Sequence, residues 1–452
     1  MVHNSEAGKL AEVFDSNGID VNTLLSLKIT GEMDARDFRT LWGGQYGVNG
    51  GMKSIKFLDL GELTAIRAYE GIGGTNRLAS LSGYGNETSE IYRDNEIPVM
   101  ALCLNDCLEQ IVLPPFITSI DGYAFWGAHA LKRVSIPGSV TKIHAMAFSG
   151  CIGLETIELP PYLEYLYGTA FENCEKLTSE ITLPKTLRHI GGGVFTGTRV
   201  SKITLSEENS YLFMDGQDVI YKASMDTLLT FPPYFKGRYA IYPQTRHIQH
   251  IAARNLIGIT AVTFPDIIDT LSVKTFDGCS NLRYINIKTI KHLQPPYSAF
   301  RGCPFDTICI SSRLMPERWA SASFNTGAAN SVDVNTCKLL VPEDSVEIFK
   351  NAYFWKDFKY LIGVKGTSTS VSDVNNEDND LLIYPNPFWN ILKIKGGKDT
   401  YEMSLFNAQG MELIRKNISA NDIIETSNYP SGVYLITLKD KNTLVKSQKL
   451  IK

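Results

Sequence analysis

Apolar and polar positions recur with a period of about two dozen residues through the first three quarters of the chain. Two residue types mark this period, and each shows successive spacings of 23, 23 and 24 residues. They are the prolines Pro114, Pro137, Pro160 and Pro184 and the phenylalanines Phe125, Phe148, Phe171 and Phe195. Because separate residue types keep one period in phase, we interpret this segment as a tandem repeat.

One repeat unit shows what each position is expected to do. The alternation of Val134 and Ile136 predicts a short strand with every second side chain turned inward. Pro137 ends that strand because it has no N–H to donate. The pair Ala147-Phe148, with Cys151 three residues later, fits a turn that fills the interior. Such a short unit cannot bury its apolar face alone, so we expect the units to stack with their strands in parallel.

The repeat reads L-x-x-I-x-L-P-x-x-L-x-x-I-x-x-x-A-F-x-x-C and resembles the BspA-like, Treponema-type leucine-rich repeats of Bacteroidetes surface proteins. The resemblance covers roughly residues 20–363. It implies a β-rich leucine-rich-repeat solenoid of short parallel strands with turns and short helical segments. Ala128 and Thr198 occupy two cysteine slots and Val194 replaces an alanine. These departures leave the expected fold unchanged.

The breaks in the period predict the domain organisation. The expected segments are an N-terminal capping region with the first coils at 1–60, the repeats at 61–337, a C-terminal cap at 338–363, a linker at 364–380 and a second domain at 381–452. Within the repeats, residues 206–240 interrupt the period. Asp218–Lys222 and Thr227–Phe231 predict two strands around a turn, so we expect a hairpin that projects from the solenoid.

The two ends of the repeat body are expected to carry atypical elements. Leu25–Thr30 and Ile55–Leu60 predict strands of the first coils, and Met33–Leu41 predicts a short helix between them. At the other end Lys338–Val341 predicts a strand. Ser345–Phe358, which includes Trp355, predicts an amphipathic helix that covers the open edge of the ladder.

The chain beyond residue 363 changes character. Residues 364–380 are rich in Ser, Asn and Asp and nearly free of apolar side chains, which is typical of a flexible linker. Seven short strands separated by turn residues then predict a small Ig-like β-sandwich. The predicted strands are Leu381–Tyr384, Ile391–Lys395, Tyr401–Phe406, Met411–Arg415, Asp422–Thr426, Gly432–Leu438 and Thr443–Ile451.

Four sequence blocks in this last segment occur in a fixed order and finish at the terminus. Their marker residues are Tyr384, Pro385, Asn386, Pro387, Asn407, Gly410, Gly432, Tyr434, Lys449 and Lys452. The blocks resemble the type A C-terminal sorting domain of type IX secretion. The resemblance implies that the secretion machinery recognises residues 381–452 and that the protein is secreted or held on the outer cell surface, the domain usually being cleaved. An Ig-like domain with no sorting role is the alternative.

The N-terminal residues do not show the export signal that such cargo requires. Met1–Glu6 has neither the basic start nor the apolar stretch of a secretory signal. We therefore expect an export signal upstream of Met1.

Composition excludes several function classes. The 452 residues contain 44 Lys and Arg against 48 Asp and Glu, a net charge of −4 that argues against a dedicated nucleic-acid binder. No apolar run approaches the length of a transmembrane helix, so no membrane span is expected. Eight cysteines are too few for a disulfide scaffold in a chain of this length.

A search for catalytic, cofactor or metal motifs gives no site. Only His247 and His250 are close in sequence, and no His-Glu-x-x-His or neighbouring cysteine pair accompanies them, so we interpret the histidines as surface residues. Gly47–Ser54 superficially resembles a phosphate loop, but Met52 separates the glycines from Lys53 and a strand follows. The run Gly191-Gly192-Gly193 falls in a repeat turn. We expect neither an enzyme nor a bound cofactor.

The cysteines mostly fall on the repeat. We expect Cys151, Cys174, Cys279 and Cys303 to behave as small buried hydrophobes with unreactive thiols. Cys309 and Cys337 lie near successive strands and are placed for a disulfide if their Cα atoms approach within about 4.4–6.8 Å. Cys103 and Cys107 are a further candidate pair.

The outward positions of the strands form the candidate partner-binding face. They are mixed-polar and mostly short, namely Arg133, Ser135, Thr156, Glu158, Glu180, Thr182, Lys202, Thr204, Thr263, Tyr284 and Asn286. Affinity over a broad interface normally depends on a few aromatic or arginine anchors. The candidate aromatic anchors are Trp126, Tyr162, Tyr165, Tyr167, Tyr234 and Phe235, each of which fits a packed rim residue equally well.

These observations lead to a functional hypothesis of an exported, non-enzymatic repeat protein that binds macromolecular partners. The resemblance implies adhesion to host or bacterial surface proteins. A glycan-binding or scaffolding component of the cell surface is the alternative, and a hydrolase with an unrecognised site is the third hypothesis. Fold alone does not decide among them.

Overall fold

The computed structural model describes residues 1–41, 54–70, 91–265, 268–287, 298–311, 324, 332–364, 382–384, 391–395, 400–407, 411–419, 422–426, 428–430, 433–440 and 443–451. The chain divides into two compact units. The larger unit comprises Met1–Met214 and Asp218–Gly363, and the smaller one comprises Asp215–Gln217 and Val364–Lys452.

The larger unit is built mainly from short strands. Its first fourteen are β1 (Val2–Asn4), β2 (Ser26–Met33), β3 (Phe57–Ile66), β4 (Tyr69–Glu70), β5 (Ile91–Tyr92), β6 (Glu96–Ile97), β7 (Gln110–Val112), β8 (Ser119–Ile120), β9 (Arg133–Ser135), β10 (Lys142–Ile143), β11 (Tyr165–Leu166), β12 (Ile181–Leu183), β13 (His189–Ile190) and β14 (Ile203–Leu205). The next eleven are β15 (Leu212–Met214), β16 (Ile220–Lys222), β17 (Thr227–Thr230), β18 (Gly237–Ala240), β19 (His247–Ile248), β20 (Ile259–Thr263), β21 (Thr270–Leu271), β22 (Tyr284–Ile287), β23 (Thr307–Ile310), β24 (Lys338–Pro342) and β25 (Tyr360–Val364). The helices are α1 (Leu10–Ser16), α2 (Ala35–Leu41) and α3 (Val346–Lys350), with 3₁₀ turns at Glu343–Ser345 and Trp355–Asp357.

Each coil contributes a strand to one or both of two ladders. The first ladder contains the sheets β1-β2-β3-β7-β9, β12-β14 and β18-β20-β22-β23-β24-β25. The second ladder contains the sheets β13-β11-β10-β8-β6 and β15-β16-β17-β19-β21. Strands one repeat apart pair in parallel, as where Arg133 in β9 lies beside Gln110 in β7. The solenoid of stacked parallel strands predicted from the repeat is confirmed.

The repeated phenylalanines form stacked columns inside the coils. The ring of Phe148 lies between those of Phe125 and Phe171, with centroid distances of 4.9 and 5.2 Å and interplanar angles of 3° in both cases. Beyond the hairpin, Phe276 and Phe300 stack in the same way at 5.7 Å. All five rings are fully buried, so the period of the sequence is the period of one apolar interior.

The repeated cysteines hydrogen-bond to the neighbouring coil. The Cys151 thiol donates to the Phe125 carbonyl at 3.1 Å, and the Cys174 thiol donates to the Phe148 carbonyl at 3.2 Å. Burial raises the pKa of Cys174 to about 12, so its thiol stays protonated and unreactive. Cys337 is likewise a buried thiol whose pKa burial raises to about 12, and the predicted disulfide with Cys309 is not formed.

The predicted hairpin exists, but the expectation that it projects from the solenoid is wrong. β15, β16 and β17 pair antiparallel in sequence order. β17 then pairs in parallel with β19, so the hairpin is part of the second ladder. Tyr221 and Leu228 are fully buried because the hairpin supplies core side chains at the point where the repeat is interrupted.

The triple glycine lies beside this interruption, where two coils approach closely. A Cβ on Gly191 would lie 2.1 Å from the Gly168 nitrogen, and one on Gly192 would lie 2.0 Å from the His250 carbonyl oxygen. Side chains are therefore excluded here by neighbouring backbone.

The ends of the body match the sequence prediction only in part. β2, α2 and β3 occupy the predicted positions of the first coils. The single amphipathic helix predicted at Ser345–Phe358 is wrong, because the segment forms the short helix α3 and a separate 3₁₀ turn. Trp355 and Phe349 are nevertheless fully buried, and their rings pack edge to face at 5.8 Å. The cap thus closes the apolar column with aromatic side chains.

The smaller unit contains all seven predicted strands. They are β26 (Leu382–Tyr384), β27 (Ile391–Lys395), β28 (Tyr401–Asn407), β29 (Glu412–Ile418), β30 (Ile423–Glu425), β31 (Val433–Asp440) and β32 (Thr443–Ile451). They form two antiparallel sheets, β26-β27-β30 and β29-β28-β31-β32. Side chains from both sheets share one apolar core, which includes Leu392, Met403 and Ile436, as expected of a small sandwich.

Candidate binding surfaces of the repeat body

The outer face of the first ladder carries most of the predicted binding positions. In its first half these side chains are exposed, namely Arg133, Ser135, Thr156, Glu158, Glu180, Thr182 and Lys202. Thr204 and Thr263 are half-buried. The parallel register places equivalent positions side by side, and the Thr204 hydroxyl donates to that of Thr182 at 3.2 Å. The face is therefore continuous but mostly short-chained.

Ion pairs connect successive coils along this ladder. Glu109 lies between Lys56 and Lys132, with N–O distances of 3.1 and 2.5 Å. Both lysines hold the pKa of the Glu109 carboxyl below its ordinary value. Lys202 and Glu180 approach within 3.8 Å in a later pair of coils. Some of the long polar side chains on this face thus contact one another, whereas Arg133 and Glu158 have no ion pair among the described residues.

Two predicted positions on the first ladder are not exposed. Asn286 is 3 % exposed and Tyr284 is 8 % exposed. Asn286 accepts a hydrogen bond from the Ser311 hydroxyl at 3.3 Å, and the adjacent Cys309 on β23 is fully buried. The alternation of the strand holds, but both faces of the sheet are covered here. Tyr284 and Asn286 therefore do not belong to an open binding face.

The two aromatic anchors proposed in the insert serve the fold instead. The Tyr234 hydroxyl accepts from the Ile203 amide at 2.9 Å and donates to Asp218 at 2.8 Å. Burial raises the pKa of this phenol. Phe235 is only 4 % exposed and packs against Phe231 at a centroid distance of 5.3 Å. Both side chains join the hairpin segment to the coils.

The remaining candidate aromatics occupy three places. Trp126 is half-buried and packs edge to face on Tyr123 at 6.0 Å. Tyr162 is 63 % exposed on the turn after the first-ladder strand position. Tyr165 and Tyr167 lie together on the second ladder, with ring centroids 6.2 Å apart and planes 16° from parallel. Among the six candidate aromatics, Tyr165 and Tyr167 are the two whose rings contact each other.

The second ladder assembles a group of side chains around these tyrosines. Parallel pairing places Lys142, Tyr165 and His189 side by side on β10, β11 and β13. His144 lies two residues after Lys142 and stacks on Tyr167 at 4.9 Å, whereas the His189 ring lies 5.6 Å from Tyr167 at a tilt of 51°. We call these five residues, Lys142, His144, Tyr165, Tyr167 and His189, the tyrosine–histidine patch.

Burial and charge set the protonation of the two histidines. Burial lowers the pKa of His144, an effect opposed by Asp121 and reinforced by Lys142 and Arg93. Burial also lowers the pKa of His189, and Lys222 adds to the effect. Both imidazoles are therefore neutral at pH 7, and each has one N–H donor and one nitrogen acceptor.

Sequence reasoning missed the histidines and Lys142 of this patch. The available signal was the second apolar position in each repeat, such as Ile143 and Leu166, which marks a second strand. The residues beside this second apolar position recur at the repeat spacing, as those of the first ladder do. Stacking of the coils therefore makes them neighbours as well.

Metal-binding and nucleophilic chemistry find little support in the geometry. Among the residues that the structure describes, no group of three His, Cys, Asp or Glu side chains is placed to hold a metal ion. Burial raises the pKa of the Cys151 and Cys303 thiols well above the ordinary value. Of Gly47–Ser54, only Ser54 falls within the described residues.

Several sorting-domain marker residues have structural roles in the sandwich. Asn407 closes a turn by accepting from the Met411 amide at 2.9 Å, and the buried Tyr434 donates its hydroxyl proton to the Pro430 carbonyl at 2.6 Å. Tyr384 lies in β26, and Lys449 in β32 pairs with Leu435. Pro385, Asn386, Pro387, Gly410, Gly432 and Lys452 lie outside the described residues.

No helix within the described ranges has both the length and the apolar character needed to cross a membrane.

Comparison with known proteins gives structural matches of low identity. The chain is similar to the pneumococcal vaccine antigen PcpA, with 16% identity, 58% of this chain and 82% of that chain covered, and a TM-score of 0.37. It is similar to a leucine-rich repeat protein from Eubacterium ventriosum, with 14% identity, coverages of 66% and 78%, and a TM-score of 0.45. A leucine-rich repeat protein from Bacteroides ovatus gives 15% identity, coverages of 69% and 84%, and a TM-score of 0.23. No curated protein matches the sequence.

Two protein families match consecutive parts of the chain. Residues 95–217 and 242–335 match the BspA type Leucine rich repeat region in six copies, and the gap between them falls at the hairpin. Residues 382–452 match the Secretion system C-terminal sorting domain. The chain therefore contains BspA-type leucine-rich repeats and a type IX secretion sorting domain, which marks the protein for export to the cell surface or beyond.

Proposed function

We propose that the repeat body is a non-enzymatic binding module that contacts macromolecular partners, host or bacterial surface proteins or glycans, after export. The supporting observation is that both ladders repeat side-chain positions from coil to coil in register. A continuous face of this kind suits contact with an extended partner. Buried thiols of raised pKa give no support to a cysteine nucleophile.

Adhesion is the interaction that this arrangement supports best. The first ladder presents exposed polar side chains over several coils, among them Arg133, Glu158 and Lys202. Such a mixed-polar face favours a broad interface of modest affinity over a deep pocket. A surface-exported protein with such a face is suited to binding other surfaces.

The full chain tests this proposal when it is immobilised and presented with host matrix proteins, whole bacterial cells and a saccharide array. We expect saturable binding to at least one of these, together with no turnover of peptide or glycoside substrates. Absence of binding in all three formats would contradict the proposal. Hydrolysis abolished by one point substitution would favour the hydrolase hypothesis instead.

Recognition of the sorting domain by the export machinery has its own test. Deletion of residues 381–452 should leave the repeat body folded in the periplasm, because the two units have separate apolar cores. Protease accessibility on intact cells measures display. Surface display of the truncated chain at the level of the full chain would refute the role of this domain.

A further inference from the structure

The tyrosine–histidine patch has polar atoms that the fold does not use. Among the residues that the structure describes, the hydroxyls of Tyr165 and Tyr167 make no hydrogen bond within the protein. The Lys142 ammonium lies over the Tyr165 ring at 5.9 Å rather than in an ion pair. Tyr234, in contrast, uses its hydroxyl both as donor and as acceptor. Half-exposed tyrosines with unused hydroxyls are available to a ligand.

The column of side chains that contains Tyr167 is interrupted on one side. On the other side, the His144 ring stacks on the Tyr167 ring, with the centroids 4.9 Å apart and the planes 21° from parallel. The equivalent position in the next coil is Gly191, which follows Ile190 as Tyr167 follows Leu166. Since Gly191 has no side chain, only the tilted His189 ring approaches Tyr167 from that coil. The Tyr167 ring is therefore less covered than it would be if a side chain at position 191 stacked on it.

Charges of both signs surround the patch. Lys142 and Arg93 lower the pKa of His144, whereas Asp121 raises it. Lys222 lowers the pKa of His189. Glu96 faces the same group, near Asp121, Arg93 and Lys142. Interspersed charges do not select a strongly charged partner, but they do supply donors and acceptors. This favours an uncharged ligand rich in hydrogen-bonding groups.

The composition of the patch also argues against a protein interface as its first use. Its five side chains are all aromatic or polar, and exposed aliphatic residues such as Ile152 and Ile257 lie elsewhere. Tyrosine is also enriched in the buried centre of protein–protein interfaces, but that centre is more apolar than this patch and depleted of charged side chains such as Lys142. Pyranose rings, in contrast, have an apolar C–H face that contacts tyrosine rings and a rim of hydroxyls.

We propose that the tyrosine–histidine patch is a saccharide-binding site. Tyr165 and Tyr167 contact the C–H face of a pyranose ring, and His144, His189 and Lys142 hydrogen-bond to its hydroxyls. The neutral His189 imidazole can both donate and accept, whereas His144 offers its Nε2, because its Nδ1 lies 3.7 Å from Asp121 Oδ1. The inference rests on the proposed binding function and specifies one partner class and one site for it.

The test uses the full chain and a set of soluble probes, namely gluco-, galacto-, manno-, xylo- and N-acetylglucosamine oligosaccharides, with uronic-acid oligosaccharides as an acidic arm. Tyr165→Ala and Tyr167→Ala should each weaken binding of the neutral oligosaccharide at least about tenfold. The matched control is Tyr353→Ala, which removes a 73 % exposed tyrosine outside the patch and should bind as the unchanged chain does. Calorimetric titration gives the affinities, and circular-dichroism melting checks that each variant is folded.

Further variants keep the test decisive if an alanine variant unfolds. Tyr165→Phe and Tyr167→Phe retain the rings and remove only the hydroxyls, and His189→Gln retains an acceptor and a donor. Binding of no neutral oligosaccharide, or affinity unchanged in both alanine variants, would overturn the inference. If the chain binds a matrix protein but no saccharide, the site assignment fails and the proposed function stands. If it binds nothing, both fail.

Discussion

The two ladders arise from the same repeat and enclose the same interior, yet their outer faces use polar side chains differently. On the first ladder, Glu109 pairs with lysines from the coils on both sides, and Thr182 hydrogen-bonds to Thr204. On the second ladder, Tyr165 and Tyr167 make ring contacts and leave their hydroxyls to solvent. Both faces contain ion pairs between coils, but the hydroxyls of Tyr165 and Tyr167 have no hydrogen-bond partner among the described residues, whereas Glu109 and Thr182 are engaged with neighbouring coils.

This difference teaches that exposure alone does not identify a binding surface in a stacked repeat. Substitution of an engaged side chain such as Glu109 should change stability more than recognition, and substitution of Tyr165 or Tyr167 should do the reverse. Four measurements would break or sharpen the comparison.

The shared interior should give the largest effect. Phe148→Ala removes a fully buried ring stacked between two others, and we expect it to cost about 3–5 kcal/mol of unfolding free energy. Hydrogen exchange should show lost protection in the strands of both ladders, because one column supports both. Tyr162→Ala is the exposed control in chemical denaturation. Protection retained in one ladder alone would mean that the two faces are independent.

The tie between the first ladder and the hairpin segment should come next. Tyr234→Phe removes the hydroxyl that joins the Ile203 amide to Asp218, leaving two partners without it. We expect a loss of about 1–3 kcal/mol in denaturant titrations. Tyr162→Phe, at an exposed position, should have no effect. Equal stability of both variants would show that water replaces the Tyr234 hydroxyl.

The pH dependence of stability should distinguish the second ladder. Burial places the folded-state pKa of His144 and His189 below the ordinary 6.5. Below pH 6.5 the two histidines bind protons in the unfolded chain but not yet in the folded chain. The free energy of unfolding therefore decreases as the pH is lowered, until the folded-state pKa is reached. The double variant His144→Gln/His189→Gln should lose less melting temperature than the unchanged chain between about pH 7 and pH 5. Identical pH profiles would mean that the two imidazoles are as solvated as in the unfolded chain.

The smallest effect should come from the ion pairs of the first ladder. Glu109→Gln removes the carboxylate that pairs with both Lys56 and Lys132. The two lysines lower the pKa of Glu109, and their attraction is lost when the pH falls below that pKa. We expect a slight decrease in melting temperature at low salt that disappears at high salt. The control on the same face is Glu158→Gln, for which the described residues give no ion pair. A decrease of equal size in the control would remove the distinction between the two glutamates.

The repeat spacing predicted the interior well because burial follows directly from period and residue type. The Phe125, Phe148 and Phe171 column needs only equal spacing and one inward position per coil. The outer faces were harder to predict, because Asn286 alternates outward as expected and is nevertheless covered. Period describes which way a side chain points, and it does not describe what lies over it.

The candidate site shows the same limit. Tyr165 and Tyr167 were recognisable as aromatic candidates, but their contacts with His144 and His189 depend on the register of a second ladder whose strands are only two residues long. Phe235 was predicted as a surface anchor because it lies in the segment that interrupts the repeat, but its side chain is buried in the core. Local sequence did not distinguish these cases, because each depends on partners from other coils.

The hairpin within the second ladder has a consequence for how the body folds. Its strands β15, β16 and β17 are neighbours both in the sheet and along the chain, so their pairing closes short loops at low entropic cost. Parallel pairs one repeat apart must close longer loops. We expect nucleation at Leu212–Thr230 and growth of coils outward in both directions. Pulse-labelled hydrogen exchange should show these amides protected first, and earlier protection in the Phe148 coils would place the nucleus there.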